Sequence, residues 1–84
     1  MAVYLYILRS EKNGHFYTGV AADVDDRLKR HNGGRSISTK SGRPWQLVYT
    51  EQFPDRSLAM KRESEIKSWK SRAMIESLIA IALP

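Results

Sequence analysis

Cysteine is absent from this 84-residue chain, and its absence excludes several classes of protein. A chain without thiols has no disulfide framework, no thiolate zinc site and no cysteine nucleophile. Small domains in oxidising compartments usually depend on disulfides, so we expect a reducing, cytoplasmic location. Internal repeats, low-complexity segments and linkers are missing as well, and the sequence therefore predicts one domain over residues 1–84.

Long hydrophobic runs are also missing. The N-terminus has no basic region followed by a long apolar stretch, so it is not typical of a signal peptide. The apolar run at 74–83 spans about ten residues, whereas a membrane-spanning helix needs about 20. We therefore expect no membrane partner and interpret 74–83 as a helix that packs on the core. The apolar share of 42% is nevertheless too high for a disordered chain.

Acidic residues are fewer than basic ones, nine against fourteen, which gives a net charge of +5. Residues 27–72 carry twelve basic and four acidic side chains, whereas residues 1–26 carry two basic and four acidic ones. A basic middle of this kind favours a polyanionic partner such as nucleic acid. A surface charged only for solubility explains such an excess equally well, so charge alone does not decide.

Three strands and three helices are expected along the chain. The Asn13-Gly14 pair is a strong hairpin signal, Asp23 is placed to cap a helix, and Pro54-Asp55 ends a strand and opens the next helix. The expected strands are 3–8, 15–20 and 45–53, and the expected helices are 24–32, 56–70 and 71–82. This ββαβαα order predicts an α/β (α+β) fold, a small three-stranded antiparallel sheet flanked by helices.

The register of the first hairpin decides which tyrosines meet. If residues 13 and 14 form a two-residue turn, residue i pairs with residue 27 − i, which places Gly19 opposite Leu8. Tyr6 and Tyr17 then share a face but lie about 13 Å apart, too far for joint chemistry. A turn nearer residues 11–12 would bring them opposite each other. Opposite Leu8, Gly19 would leave room for a substrate backbone to approach.

Two charged groups lie on the apolar side of the first expected helix. On a helical wheel, His31 falls within the apolar stripe of Val24 and Leu28, and Arg27 borders that stripe one turn earlier. Charged groups rarely occupy such positions without a partner or a ligand. The commoner alternative is that Arg27 extends to solvent while His31 is an ordinary, half-buried histidine with its hydrogen bonds satisfied.

The second expected helix repeats the feature with a carboxylate. Glu63 and Lys70 fall on one edge of the apolar arc around Ala59 and Ile66, and Glu65, a weaker candidate, falls on the other edge. An inward carboxylate can hold a divalent cation through its oxygens or pair with an arginine. An ordinary structural ion pair remains the commoner explanation for a single glutamate.

The order of these residues is more specific than any one of them. Two tyrosine triplets, Tyr4-Leu5-Tyr6 and Tyr17-Thr18-Gly19, come before Arg27 and His31, and a glutamate helix follows. The matching segments are 4–6, 17–19, 27, 31–34, 43–49 and 59–69. Over residues 3–79 the chain resembles the GIY-YIG nuclease superfamily, and most of all its small stand-alone members.

The resemblance implies a metal-dependent endonuclease that hydrolyses phosphodiester bonds in DNA, as nucleases of repair or recombination do. By analogy, Glu63 would hold one Mg²⁺ or Mn²⁺ ion, and Tyr6 or Tyr17 would act as general base or orient the attacking water. Arg27 would stabilise charge on the phosphate, and His31 would assist proton transfer or hydrogen-bond a tyrosine. A protein partner is expected to supply any sequence specificity.

Basic residues are expected to contact the nucleic acid, and we expect DNA in preference to RNA as that partner. The polar loop at 33–44 contributes Arg35, Lys40 and Arg43, and the second helix contributes Lys67 and Lys70. At about twelve residues, this loop is near the length beyond which loops are usually functional or disordered.

Two other functions fit the same sequence. The first is a nucleic-acid-binding module of the same fold that cleaves weakly or not at all, because the first triplet has Tyr4-Leu5 where the family has glycine and isoleucine. Trp45 and Trp69 could stack on bases in either function, although we expect both rings to lie in the core. The second is a structural protein that self-associates through 74–83; the sequence does not predict the oligomeric state.

Overall fold

Three strands and three α-helices follow one another in the order ββαβαα in the computed structural model, which describes residues 2–34 and 39–82. The strands are β1 (Val3–Ser10), β2 (Phe16–Ala21) and β3 (Trp45–Phe53). The helices are α1 (Val24–Asn32), α2 (Arg56–Ser68) and α3 (Arg72–Ala82), with a short 3₁₀ helix at Lys40–Gly42. The predicted fold class and element order are confirmed.

The sheet has the strand order β2-β1-β3, and both pairings are antiparallel. β1 is therefore the central strand and is covered on both faces, which explains why its sequence is apolar on both faces. One face packs on α2 and α3, and its buried residues are Val3, Leu5, Ile7, Val20, Ala59 and Ile66. The other face packs on α1, and its buried residues are Tyr6, Leu8, Ala21 and Trp45.

The predicted register of the first hairpin is wrong by two residues. Tyr6 pairs with Gly19 and Leu8 pairs with Tyr17, so residue i pairs with residue 25 − i. Ser10 closes the turn instead of Asn13-Gly14: its N–H donates to the carbonyl of His15 at 2.8 Å, and its hydroxyl accepts from the N–H of residues 12 and 13 at 3.1 Å each. A two-residue shift keeps every side chain on its predicted face, but it makes Tyr6 and Tyr17 diagonal neighbours.

The helix ends follow local sequence signals, with one exception. Asp23 caps α1 by accepting from the N–H of Asp26 at 3.0 Å, and Asp55 caps α2 by accepting from the N–H of Leu58 at 3.0 Å. The exception is the end of α2, which was predicted at Lys70 and lies at Ser68. Lys70 has a φ of 49°, in the left-handed region, so it terminates the helix and turns the chain towards α3.

α3 is partly covered by the core. Ile75, Leu78 and Ile79 pack against the α2 face of the sheet, while Met74 is 47% exposed and Ile81 is 83% exposed. Within the described residues, none of the helices has the length and apolar character needed to cross a bilayer. The expected packing of this segment on the core is confirmed, and self-association through it stays a prediction.

Candidate active site

The side chain of Tyr6 occupies the space over Gly19, its partner on the edge strand β2. A Cβ added at Gly19 would lie 2.5 Å from the Tyr6 hydroxyl oxygen, so a glycine is needed for the phenol to cross β2. The expectation that Gly19 leaves room for a substrate backbone is therefore wrong, because Tyr6 fills that room. The consequence is that a tyrosine of the central strand presents its hydroxyl towards the edge of the sheet.

His31 reaches the Tyr6 hydroxyl from α1. Its Nε2 atom lies 3.1 Å from the hydroxyl oxygen, and its Nδ1 atom lies 2.8 Å from Oγ1 of Thr39. All three side chains are almost fully buried: Tyr6 and Thr39 are each 1% exposed, and His31 is 3% exposed. The imidazole is therefore held at both ring nitrogens, in a place shielded from bulk water.

Arg27, one turn before His31, acts on both groups. The neighbouring guanidinium favours the ionised form of the Tyr6 phenol. Burial, followed by the neighbouring Tyr17, raises the pKa of Tyr6 to about 12, and Arg27 opposes that rise. Burial also lowers the pKa of His31, and the positive charge of Arg27 lowers it further. At neutral pH the site therefore holds a neutral phenol beside a neutral imidazole.

Tyr17 lies against the same imidazole. Its ring centroid is 4.7 Å from that of His31 and 6.3 Å from that of Tyr6. Its other neighbour is Trp45, whose ring meets it edge-on at 6.3 Å. Tyr6 and Tyr17, which the wrong register placed about 13 Å apart, are therefore close neighbours. The two tyrosines and the histidine form one aromatic cluster.

Glu63 approaches the cluster from α2. Its negative charge makes the smallest of the contributions that raise the pKa of Tyr6. The Glu63 side chain is 21% exposed, and its Oε2 atom lies 3.2 Å from Nζ of Lys67, four residues later on the helix. Glu65, the weaker candidate, is bound instead to Arg62 on the far side of α2. α1 and α2 lie on opposite faces of the sheet, and Tyr6 packs on the α1 face.

The donor set around Glu63 fits a weakly coordinated magnesium or manganese ion. Across 2–34 and 39–82, no three acidic or histidine side chains converge as a closed metal cage. Mg²⁺ does not require one, because it typically keeps several waters and binds through one or two carboxylates plus substrate phosphates. The half-buried Glu63 carboxylate can supply that single protein ligand.

Sequence reasoning missed the residues that hold His31 in place. The amide of Asn32 clamps the backbone of Trp45, accepting from its N–H at 2.6 Å and donating to its carbonyl at 3.0 Å. The indole N–H of Trp45 then donates to the carbonyl of Thr39 at 2.7 Å. This closed set of hydrogen bonds fixes Thr39 opposite the imidazole. No sequence signal identifies Thr39, since it lies in a polar loop without periodicity.

The basic residues predicted to bind nucleic acid are not all in one place. Lys40 and Arg43 line one open cleft, with a volume of about 740 Å³. Lys67 forms the ion pair within α2, and Lys70 is exposed at the corner between α2 and α3. Arg35 lies outside the described residues.

Comparisons with known proteins identify a family whose model matches most of the chain. The model of the GIY-YIG catalytic domain family matches residues 2–76. UPF0213 protein SSP2268 of Staphylococcus saprophyticus is 43% identical over 74 residues, which cover 87% of this chain and 89% of the relative. UPF0213 protein SH2523 of Staphylococcus haemolyticus is 38% identical over 76 residues, which cover 89% and 92%.

A solved structure is similar as well. The solution NMR structure of UPF0213 protein BH0048 from Bacillus halodurans is 40% identical to this chain. The match covers 98% of this chain and 86% of that one, with a TM-score of 0.61. The names of these relatives specify no substrate or reaction, so they bear on the family and the fold.

Proposed function

The chain belongs to the GIY-YIG nuclease family, and from that premise we propose that it acts, as one domain, as a metal-dependent endonuclease on DNA. Family membership implies a nucleic-acid partner and phosphodiester chemistry. The observation that carries the proposal is the contact at the Tyr6 phenol: its oxygen lies 3.1 Å from Nε2 of His31, and the charges of Arg27 and Glu63 both act on its pKa.

Tyr6 and His31 act together as the general base in this proposal. Arg27 can only donate hydrogen bonds, so the Tyr6 hydroxyl hydrogen is directed to Nε2 of His31. The imidazole is neutral because burial lowers its pKa, and its own proton then lies on Nδ1, donated to Thr39. With a pKa of about 12, Tyr6 is a poor base by itself. It can take a proton from the attacking water as it passes its own proton to His31.

Arg27 and Tyr17 position the reacting groups. Arg27 is half-buried, so its guanidinium can contact both the phenol and a phosphate at the edge of the sheet. It would stabilise the negative charge that develops on the phosphate oxygens. Tyr17 packs on His31 at 4.7 Å and thereby fixes the plane of the imidazole, and its half-buried hydroxyl can orient the attacking water.

Glu63 would hold Mg²⁺ or Mn²⁺. When bound, the ion would polarise the scissile phosphate and stabilise the leaving oxygen. The chain's own contribution is to place this carboxylate near Tyr6 and to neutralise it with Lys67 until a cation arrives. Lys67, Lys70 and the loop residues would add contacts to the phosphate backbone, and a protein partner would supply sequence specificity.

A nuclease assay tests the proposal. Single-stranded, double-stranded and branched DNA, with an RNA of the same sequence, are incubated with Mg²⁺ or Mn²⁺ and either the wild type or Glu63→Ala. Glu65→Ala is the matched control, since Glu65 lies on the same helix but pairs with Arg62. We expect DNA cleavage by the wild type and the control, and its loss in Glu63→Ala. Cleavage that survives in Glu63→Ala would contradict the role of Glu63.

A binding module without cleavage is the second candidate. The specific observation in its favour is that Glu63, the one acid near the phenol that fits a metal, is already paired with Lys67. This candidate predicts salt-sensitive binding of DNA without product at any metal concentration. A cytoplasmic location remains part of either proposal.

A further inference from the structure

A second basic surface lies beside the aromatic cluster. It is the open cleft of about 740 Å³ that lies between the β1–β2 turn and the loop before β3. We call it the basic cleft, and its lining residues are Lys12, Asn32, Lys40, Ser41, Arg43 and Pro44. Three of the six are cationic and none is acidic, so its formal charge is strongly positive. Lys12, which sequence reasoning did not single out, contributes one of the three charges.

Hydrogen bonds hold the two sides of the basic cleft together. The hydroxyl of Ser10 donates to the carbonyl of Gly42 at 2.6 Å, and the N–H of Glu11 donates to the carbonyl of Pro44 at 2.9 Å. Ser10 is 1% exposed, so this junction is shielded from water. The turn that carries Lys12 is therefore fixed against the loop that carries the other two cations. A binding surface fixed before the ligand arrives loses less conformational entropy on binding.

The cations of the basic cleft are available for a ligand. In the described part of the chain, no carboxylate lies within ion-pair distance of Lys12, Lys40 or Arg43, whereas four other basic residues form five ion pairs elsewhere. Nε of Arg43 donates to the carbonyl of Lys40 at 3.0 Å, and its guanidinium packs over Gly34. This orients Arg43 without neutralising it. Three unneutralised cations around one opening favour an anion.

Two residues that line the basic cleft are sequence neighbours of residues in the candidate active site. Asn32 in its lining follows His31 in the chain, and Lys40 follows Thr39, whose hydroxyl lies 2.8 Å from the imidazole. The basic cleft therefore lies next to the candidate active site along the chain, where phosphates beside a reacting one could be held. The two surfaces are otherwise distinct, because none of the residues around the Tyr6 phenol lines the basic cleft.

We propose that the basic cleft is a subsite for the backbone phosphates that flank the reacting one in a nucleic-acid strand. The choice of ligand rests on the proposed nuclease function; the site itself rests on the cleft, its fixed walls and its three cations. Lys12 and Lys40 act as point charges on successive phosphates, and the planar Arg43 guanidinium can take two oxygens of one phosphate.

Recognition at this subsite depends on phosphates and not on bases. Stacking on bases needs an exposed aromatic ring. Trp45 is 8% exposed and its indole N–H is engaged with Thr39, and Trp69 packs on the α2 face beneath Arg62. Neither ring lines the basic cleft. The subsite therefore binds strands of different sequence with similar affinity.

The salt dependence of DNA binding tests this proposal. The background is Glu63→Ala, so that the probe is not cut, and the probes are two labelled duplexes of unrelated sequence. Lys12→Gln, Lys40→Gln and the double variant are compared by fluorescence anisotropy over a series of NaCl concentrations. Lys61→Gln is the matched control, because Lys61 is exposed on α2 and lies nearly opposite Glu63 around that helix.

We expect each lysine replaced in the basic cleft to reduce the slope of log K against log salt by about 0.9, equally for both duplexes. Lys61→Gln should leave the slope unchanged, and circular dichroism should show the same fold in every variant. An unchanged slope in Lys12→Gln and Lys40→Gln, or an equal loss in Lys61→Gln, would overturn the subsite. If the lysine variants show the expected slopes of log K against log salt but the wild type never cleaves DNA, the subsite is supported and the nuclease function is overturned.

Discussion

The Tyr6 hydroxyl and Nε2 of His31 are 3.1 Å apart and join the central strand to the first helix inside the core. Each partner modifies the chemistry of the other. The neutral imidazole gives the phenol a proton acceptor, and the phenol satisfies a ring nitrogen that would otherwise be buried without a partner. Both groups are neutral at pH 7. A proton can therefore pass between them although neither carries a charge in the buried site beforehand.

The pH dependence of stability follows from His31. Burial lowers its pKa in the folded protein, while the unfolded chain keeps the ordinary value of about 6.5. Below about pH 6.5 the unfolded state therefore binds more protons than the folded state, so the melting temperature should fall as the pH decreases from there towards the folded pKa. We expect His31→Gln to flatten this fall relative to the wild type.

His15→Gln is the control for this measurement, because His15 is exposed in the hairpin turn. Thermal unfolding followed by circular dichroism at a series of pH values checks it. Equal flattening in His15→Gln and His31→Gln would contradict the assignment to His31.

The helices and most of their ends, though not the end of α2, could be predicted from the sequence because their signals are local. Asp23 and Asp55 cap helices through N–H groups three residues away, as their sequence positions indicate. The residues that share a face of β1 could be predicted for the same reason, since successive side chains of any strand point to opposite faces whatever its partner. The order of motifs added the family, which no single residue would have identified.

The register and the support of His31 could not be predicted because they depend on contacts distant in sequence. Ser10 sets the turn, and Ser10 is itself held by Gly42, 32 residues later. Thr39 meets His31 only because Asn32 clamps Trp45 and thereby places the loop. Neither Ser10 nor Thr39 differs in the sequence from an ordinary polar loop residue.

Thr39 is a positioning residue for the base, and its hydroxyl can be tested by itself. Thr39→Val keeps the shape of the side chain but removes the partner of Nδ1, so His31 loses the contact that favours its Nδ1–H form. We expect cleavage to slow by about tenfold, the effect of losing one buried hydrogen bond of about 1–2 kcal/mol. We expect ¹⁵N NMR of the imidazole to show a mixture of tautomers.

Thr39→Ser restores the hydroxyl and should recover both the rate and the Nδ1–H tautomer. A structural role alone would lower the melting temperature of both variants and leave the tautomer unchanged. If Thr39→Val shows the wild-type tautomer, the positioning role is wrong.

The close packing of Tyr6 on Gly19 predicts a strong energetic coupling between them. In the wild type, Gly19→Ala places a Cβ 2.5 Å from the hydroxyl oxygen, so the phenol must move away from His31. We expect a loss of about 1–3 kcal/mol in the free energy of unfolding, together with loss of cleavage. In a Tyr6→Ala background the obstructing ring is gone, and the same substitution should cost little.

A double-mutant cycle in urea measures this coupling. Equal costs of Gly19→Ala with and without the Tyr6 ring would show that the two residues do not compete for space. Backbone strain should not add to the cost of Gly19→Ala, because Gly14 and Gly34 are the only described glycines with positive φ.

Lys67 should compete with the metal ion for Glu63. Its ammonium lies 3.2 Å from the carboxylate, so a cation that binds Glu63 must displace it or share the charge. Lys67 is 56% exposed, and exposed ion pairs contribute about 1 kcal/mol at most. We therefore expect Lys67→Gln to lower the half-saturating Mg²⁺ concentration for cleavage by up to about fivefold. The measurement is made at saturating DNA, so that weaker DNA binding from a lost phosphate contact does not affect it.

Lys61→Gln on the same helix should leave that concentration unchanged. A higher Mg²⁺ requirement in Lys67→Gln would mean that Lys67 assists metal binding. The prediction that the ammonium and the metal ion compete for the Glu63 carboxylate would then be wrong.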